Sequence, residues 1–471
     1  MSQLSISHVR SNDPAQFIAR NRDTEQVAPP VVVPSPYEWP VPEAGDEKLM
    51  VQLRWYLETF LSYPFEPYIT RAGHIEAALK AWGTAAFKAL FNNLDAGQWL
   101  SREAGTVMDI LISCDEPEFL AWPWEALHDP VLGYFGHRAR IQRRLSHEVP
   151  NPPKLPELPR DRINILLVTA RPFKDDVDYR SISRPLVELI GKEKLPASVQ
   201  VLRPPTFENL QRHLKEKPGY YHILHFDGHG GYGSQAPERV SGQFKGHEGR
   251  LMFETDKGEP DEVTASRLAT MLKGCTVPFV VLNACRSAQL DKQAAEGRAF
   301  ASVAGALVHA GFRGVLAMAY NLTVSGAKQF LPAFYRSLFK QGNLLEAARE
   351  GRLRMYDQGS RSGWNPEVKL QDWLLPVVYQ QREDFDLSFA KEAKAAATKV
   401  MLPEDAMVPE TLPFVGRDAA IHALERALRG SAAGVLVHGL GGVGKTTLAK
   451  HFLHWLRDTG GLAHPPFWFS F

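Results

Sequence analysis

The sequence is poor in cysteine, with only Cys114, Cys275 and Cys285 in 471 residues. Three cysteines cannot build a disulfide framework, and an odd, sparse count suits a reducing cytoplasm. Long apolar runs are also missing: no stretch approaches the roughly 18 residues of a membrane-spanning helix. The N-terminus, MSQLSISHVRSNDPAQ, lacks the basic-then-apolar layout of a signal peptide. Nor does charge of one sign dominate. Lys+Arg number 54 against 53 Asp+Glu, a net charge of +1. That balance supplies no overall pull toward nucleic acid or anionic membrane. A secreted disulfide scaffold, a membrane protein and a basic nucleic-acid binder are therefore disfavoured. What is present is ordinary for a globular chain, 44% hydrophobic and 23% charged. At about 150 residues per domain the length accommodates about three units.

Proline punctuates the chain. Residues 1–44 carry seven of the 34 prolines and no helical period, which predicts a disordered Pro-rich tail. Its short VVV run could still dock on a sheet edge. PNPPKLPELP at 150–159 reads as a stiff connector, and 396–411 as a linker. No internal repeat of fixed period is present. Between the first two breaks, 45–149 reads as mixed α+β: Leu49–Leu61 strand-like, Gly73–Phe91 a helix, Val107–Ser113 a strand. From 160 to 395 the pattern is regular. Apolar runs at Ile163–Thr169, Gln200–Leu202, Tyr220–Phe226, Pro278–Asn283 and Arg313–Ala319 alternate with helical spacings. That alternation predicts an α/β fold with a parallel sheet flanked by helices.

In open parallel sheets chemistry sits beyond the carboxyl ends of the strands. YYHILHF runs into DGHGG, placing His229 just past its strand, and PFVVLN runs into ACRSA, placing Cys285 just past another. Strands joined by one crossover commonly lie side by side, so the two side chains can share a crevice. An imidazole within reach takes the thiol proton and later protonates a leaving amine. Gly228, Gly230 and Gly231 permit close backbone approach, and the N–H groups of Gly230 and Cys285 could form an oxyanion hole. Ser287 and the helix after it would place a positive dipole end near the thiolate. The bland readings are an inert core cysteine and a turn histidine. A metal site from His222, His225, Asp227 and His229 is disfavoured, because His222 and His225 stand an odd number of residues apart and face opposite ways. Cys114 and Cys275 show no ligand spacing and read as structural.

Caspases carry a His about 50 residues before a Q-A-C motif, and this chain has NACRSA at 283–288 with His229 at nearly that distance. With DEPEFLAWPWEALHDPVLGYF (115–135), RINILLVTARP (162–172), HFDGHGG (225–231), GRLMFETDKG (249–258), VVLNACRSA (280–288) and FYRSLFKQGNLLEAAREGR (334–352), the sequence resembles the CHAT domain over roughly residues 47–395. That family is a caspase-like peptidase module of the caspase and separase clan. The resemblance implies His229 as general base and Cys285 as nucleophile in peptide-bond hydrolysis through a thioacyl intermediate. His225 is then a strand residue without a catalytic role. Clan members usually work without a strict third triad residue, and a backbone carbonyl often orients the His, so no Asp is assigned. Asn283, two positions before the nucleophile, lines the pocket for the residue before the cleaved bond, with Tyr320 narrowing a wall. Asp227 either supplies an acidic wall or caps the turn. A neutral Asn283 weakens the case for a basic residue there.

GVLVHGLGGVGKTTLAKHFL (434–453) contains G-x-x-x-x-G-K-T from Gly439 to Thr446 between an apolar run and a helical pattern. Backbone N–H groups around Gly439, Gly441, Gly442 and Gly444, together with Thr447 at the helix start, cradle phosphates. Lys445 neutralises the terminal phosphates, and Thr446 supplies a hydroxyl for Mg²⁺. LPFVGRDAAIHALERAL (412–428) resembles the opening of signal-transduction ATPases of the STAND class, including NB-ARC-like proteins, which makes Arg417 a nucleotide contact. A nucleotide-binding domain usually needs about 100–200 residues, and far fewer lie between Gly439 and Phe471. The expectation is the N-terminal part of a longer protein, with ATP and Mg²⁺ bound in the complete form and hydrolysis not expected from 412–471 alone. The combined expectation is a caspase-like α/β sheet with an N-terminal mixed half, followed by the beginning of a P-loop NTPase domain. By resemblance it acts as a cysteine endopeptidase effector under a nucleotide switch, as in bacterial conflict systems including antiviral defence. It would cut a protein partner and assemble through the full ATPase. The alternative is a catalytically silent recruitment module on an ATP-dependent scaffold.

Overall fold

In a computed structural model of the chain, the residues described are 3–9, 16–92, 97–100, 107–146, 158–174, 176, 178–180, 183–234, 247–273, 275, 277–285, 298–310, 312–361, 367–381, 387, 400–408, 414, 416–429 and 434–469. Side chains at 232–234, 247–248, 284–285 and 298–302 are outside that description. Among the described residues no helix is long and apolar enough to cross a membrane.

The chain opens with strands, not a tail. β1 (Gln3–His8), β2 (Gln16–Asn21) and the edge pair β3 (Val31–Val32) precede helices α1 (Leu49–Glu58) and α2 (Tyr68–Phe91) and strand β4 (Met108–Ser113). β1 lies parallel to β4 and antiparallel to β2, with Leu4, Ile6 and Phe17 buried. The expected disordered tail is therefore corrected. Composition does not record that the Leu4 and Ile6 alternation finds a partner edge on β4, where ladder bonds and burial offset the ordering entropy. Leu49–Leu61 is also corrected, from strand to helix. Leu49, Leu53, Tyr56 and Leu57 share one helical face, all buried.

A short helix α3 (Pro117–Leu120), the two-stranded hairpin of β5 (His128–Asp129) and β6 (Gly133–Tyr134), and β7 (Ala139–Arg144) complete the N-terminal half. Its WPWEALHD segment is a structural joint. Fully buried Glu125 takes both guanidinium nitrogens of buried Arg143 at 2.6 and 2.7 Å. Arg143 also donates to the Leu120 and Trp122 carbonyls. A buried pair held by this many bonds fixes geometry even where its net stabilisation is small.

The second half supplies β8 (Ile163–Thr169), α4 (Ser183–Glu193), β9 (Ala197–Val201), α5 (Phe207–Glu216), β10 (Ile223–Ser234), β11 (His247–Glu254), β12 (Pro260–Thr264), α6 (Ala265–Lys273), β13 (Phe279–Cys285), α7 (Arg298–His309), β14 (Gly314–Met318), α8 (Val324–Gln341) and α9 (Leu344–Asp357). A small pair, β15 (Ser360–Arg361) and β16 (Val368–Lys369), precedes β17 (Pro376–Tyr379). β9, β8, β10, β13 and β14 run parallel in that spatial order. β17 adds antiparallel to β14 and joins β7, so the two halves share one 13-stranded sheet. All seven residues of β8 are buried, the mark of a strand covered on both faces. Helices flank the sheet in two groups, α4 with α8 and α9, and α6 with α7.

The chain leaves β8 toward β9 on one side and returns to β10 on the other. The sheet thus has its switch in direction between β8 and β10, where ligand crevices form. The C-terminal residues add α10 (Asp418–Arg429) and α11 (Lys445–Asp458), which pack against this region. The apolar run before the glycine loop does not become a strand. No described strand pairs with 434–439, and Leu436 is 85% exposed. A strand is defined by its neighbour, and an apolar run without one stays open chain. The connector at 150–157 and the linker at 396–399 lie outside the described residues.

Candidate functional site

β10 and β13 are matched residue for residue from Ile223 opposite Phe279 to His229 opposite Cys285. His229 lies inside β10 and Cys285 is the last residue of β13, rather than just past their strands, a correction to the expected turn. β10 continues through its glycines because a hairpin receives it: from His229 onward it pairs antiparallel with β11, His229 opposite Met252 and Gly230 opposite Leu251. His229 is thus the residue at which β10 exchanges β8 for β11 while still opposite Cys285. Gly230 is one step beyond the last residue matched by β13. Gly228 has a local reason: a Cβ there would stand 2.9 Å from the Phe226 ring and 3.4 Å from the Ala170 carbonyl. Ser287 and the chain to residue 297 lie outside the described residues.

The His229 ring is buried. Its Nε2 is hydrogen-bonded to the carboxylate of Asp176, and Phe173 sets its ring edge-on at 5.0 Å. Asp176 Oδ2 accepts from the Phe173 N–H at 2.9 Å, so a tight turn after β8 holds the carboxylate. No Asp was assigned from sequence. The signal was faint: RPFKDDVDY offers three acidic residues beyond a strand end, and nothing in the pattern selects one.

Asp227 and Asn283 face each other across the same strand pair and are both buried. Asp227 Oδ2 accepts from Arg171 at 2.7 Å, and Oδ1 accepts from the Asn283 amide at 3.1 Å. Arg171 also donates to the Asp227 and Ala170 carbonyls. Burial pushes the Asp227 carboxyl upward, and the Arg171 guanidinium and Asn283 amide oppose it. The expectation of an acidic pocket wall, or of a turn cap, is therefore corrected. Asp227 is a strand residue, with one oxygen on Arg171 and the other on Asn283. Tyr320, just past β14, is buried.

The neighbouring histidines, His225 on β10 and His222 just before it, are core groups. His225 shares a bond with the Tyr335 hydroxyl at 2.8 Å, and burial pulls its imidazole down to about 3. His222 sits between the Asn164 N–H and the Pro159 carbonyl, pulled down to about 4 by burial. Among the described residues no cluster of His, Cys, Asp and Glu has the form of a metal site. Cys114 and Cys275 are buried, and burial raises the thiol of each, Cys114 to about 12.

The glycine loop leads directly into α11, which starts at Lys445. Gly439, Gly442 and Gly444 have φ of 155°, 79° and 87°, conformations that side chains rarely adopt. Lys445 Nζ donates to the Gly439 and Leu440 carbonyls at 3.0 and 2.8 Å, curling over the loop. Arg417 donates to the Val443 carbonyl at 2.9 Å. Thr446 and Thr447 are exposed at the helix start, and Gly441 is exposed in the loop. A left-handed glycine turn, a helix N-terminus and a lysine over the loop have the form of a phosphate cradle.

A family model for the CHAT domain matches residues 80–381. A model for an AAA ATPase domain matches residues 413–467. No curated protein matches the chain. Among solved structures, a separase–securin complex of Saccharomyces cerevisiae is similar over 80% of this chain at 11% identity and a TM-score of 0.43. The chain spans 30% of the length of that separase-complex chain. A second structure of that complex covers 73% of this chain and 22% of its own at 13% identity and a TM-score of 0.31. A chain described as "Structure of Protease" covers 66% of this chain and 69% of its own at 10% identity and a TM-score of 0.35.

Proposed function

Because the chain belongs to the CHAT domain family, we propose that it is a caspase-like cysteine endopeptidase with Cys285 as nucleophile and His229 as general base. The observation that carries this reading is the strand register, which sets His229 directly opposite Cys285 at the active end of the parallel sheet. With Nε2 on Asp176, Nδ1 is the ring nitrogen that takes the thiol proton. The thiolate then attacks the peptide carbonyl carbon and forms the C–S bond. The N–H groups of Gly230 and Cys285 receive the oxyanion. The imidazolium returns its proton to the amine as the C–N bond breaks, leaving a thioester. Water, deprotonated by the same imidazole, hydrolyses the thioester and restores the thiol. Asn283 and Tyr320 contribute to the pocket for the residue before the cleaved bond, and Asp227 supports that wall from inside through its bond to Asn283.

The matched ATPase segment supports nucleotide binding. Lys445, Thr446 and Thr447 with the Gly439 to Gly444 backbone would hold the phosphates and Mg²⁺, and Arg417 would border them. ATP supplies a switch here, not the cleavage chemistry. We assign the segment to a signal-transduction ATPase of the NB-ARC-like kind that assembles when complete. The peptidase is then the effector of a cytoplasmic conflict or antiviral defence system.

The test is cleavage of a fluorogenic peptide library together with labelling by an electrophilic peptide probe. Wild type is expected to label at Cys285 and cleave, and Cys285→Ala to do neither. Equal labelling of wild type and His229→Ala would sink the assignment and favour the silent recruitment module.

A further inference from the structure

The turn that carries Asp176 onto His229 is not held by the peptidase alone. Helix α10, just after Arg417, grips it at both ends. On the upstream side, Arg426 donates to the Arg171 carbonyl at 2.8 Å. Arg426 and Arg429 also stand 3.5 Å from Glu254, a buried carboxylate that accepts from the Arg171 N–H at 2.8 Å. On the downstream side, Arg180 pairs with Asp418 at 2.7 Å. Tyr179 stacks on His422 with centroids 4.7 Å apart and planes 6° from parallel. Arg180 also lies over the Trp455 ring of α11. Phe173 and Asp176, which both contact His229, lie between these anchors. The N-terminal end of α10, which carries Asp418, also reaches the nucleotide loop, where the preceding Arg417 bonds the Val443 carbonyl.

Resting on the peptidase reading above, we propose that Asp176 is the positioning residue of His229, and that its turn is a strap tensioned by α10. A change at the glycine loop would then reach the catalytic imidazole through Arg417, α10 and two anchored ends. Asp176 fixes the ring plane and stabilises the imidazolium that forms when His229 takes the Cys285 proton, and itself transfers none. Arg180 and Glu254 are buried, and buried charges that lose a partner are costly, so a docked α10 holds both ends of the turn.

The test uses the 471-residue chain and a readout that needs no knowledge of the substrate. The rate of iodoacetamide alkylation at Cys285 is followed by peptide mass mapping. Asp176→Asn is expected to slow alkylation about tenfold or more, as His229→Ala does, while the melting temperature stays near wild type. Asp176→Glu, which keeps the carboxylate, should recover part of the rate. The strap is tested by the Asp418→Asn, Arg426→Ala double variant. It should slow alkylation in the same direction and raise hydrogen exchange in peptides spanning 170–180. If His229→Ala is slow but Asp176→Asn equals wild type, the positioning role is overturned and the peptidase reading stands. If His229→Ala equals wild type, both fall. If only the double variant equals wild type, in rate and in exchange, the strap is overturned.

Discussion

Arg171 and Asp227 form a fully buried ion pair at 2.7 Å, with Asp227 two residues before His229 on β10. The pair ties the loop after β8 to β10 and, through Asn283, to β13. Removing one partner leaves the other charged and without a counterion. Asp227→Ala is expected to destabilise the fold by about 3–5 kcal/mol. Replacing Arg171 by Met and Asp227 by Leu together should cost less than Asp227→Ala alone. Denaturant midpoints of the three proteins check the order, and a double variant weaker than the single would contradict it.

The N-terminal strand should matter for stability in proportion to its burial. Ile6 is fully buried between β2 and β4. Ile6→Ala is expected to cost about 2–5 kcal/mol. A loss below about 0.5 kcal/mol, the range of surface substitutions, would return this segment to the status of a tail.

Buried neutral histidines predict a pH slope. Burial pulls His225 down to about 3, and His137 and His222 down to about 4, against about 6.5 in an unfolded chain. Above 6.5 both states are neutral and the stability is intact. As pH falls below 6.5 the unfolded state takes up protons first, so stability drops until each folded value is passed. Each group contributes a slope of up to about 1.4 kcal/mol per pH unit. Chemical melts at pH 7.5 and pH 5 should show the loss, and His225→Phe should have a shallower slope than wild type. Equal slopes would remove His225 from this account.

For the nucleotide loop, Lys445→Ala should weaken binding of a fluorescent ATP analogue about 10- to 100-fold. That range corresponds to one charge-assisted hydrogen bond of about 1.5–3 kcal/mol. Arg417→Ala should weaken it less, because its bond is to the loop backbone. Fluorescence titration checks both, and wild-type affinity in Lys445→Ala would refute the loop's role.

Much of the second half was legible because its signals are local. INILLVT and PFVVLN are apolar runs of strand length bounded by breakers, and both became central strands. The pairing of His229 with Cys285 followed from one crossover between neighbouring strands. Leu49–Leu61 misled because apolar and polar residues mix there at spacings that either period can claim. The fate of the first 44 residues depended on an edge of β4 more than 100 positions from its partner β1. Asp227 misled differently. Its distance from His229 was readable, but its partner Arg171 lies on the loop after β8.

By itself the sequence determined the alternating strands and helices of the second half, the apolar strand runs that lead to His229 and Cys285, and the glycine loop before a helix. Each depends on spacing within a short window, where backbone geometry dictates which side chains share a face. Only the tertiary structure decided that Asp176 holds His229, that Asp227 lies inside on Arg171, and that α10 braces the turn between them. Those choices are made by charges brought together from distant positions, and inside a protein a charge settles on whichever partner the fold sets beside it.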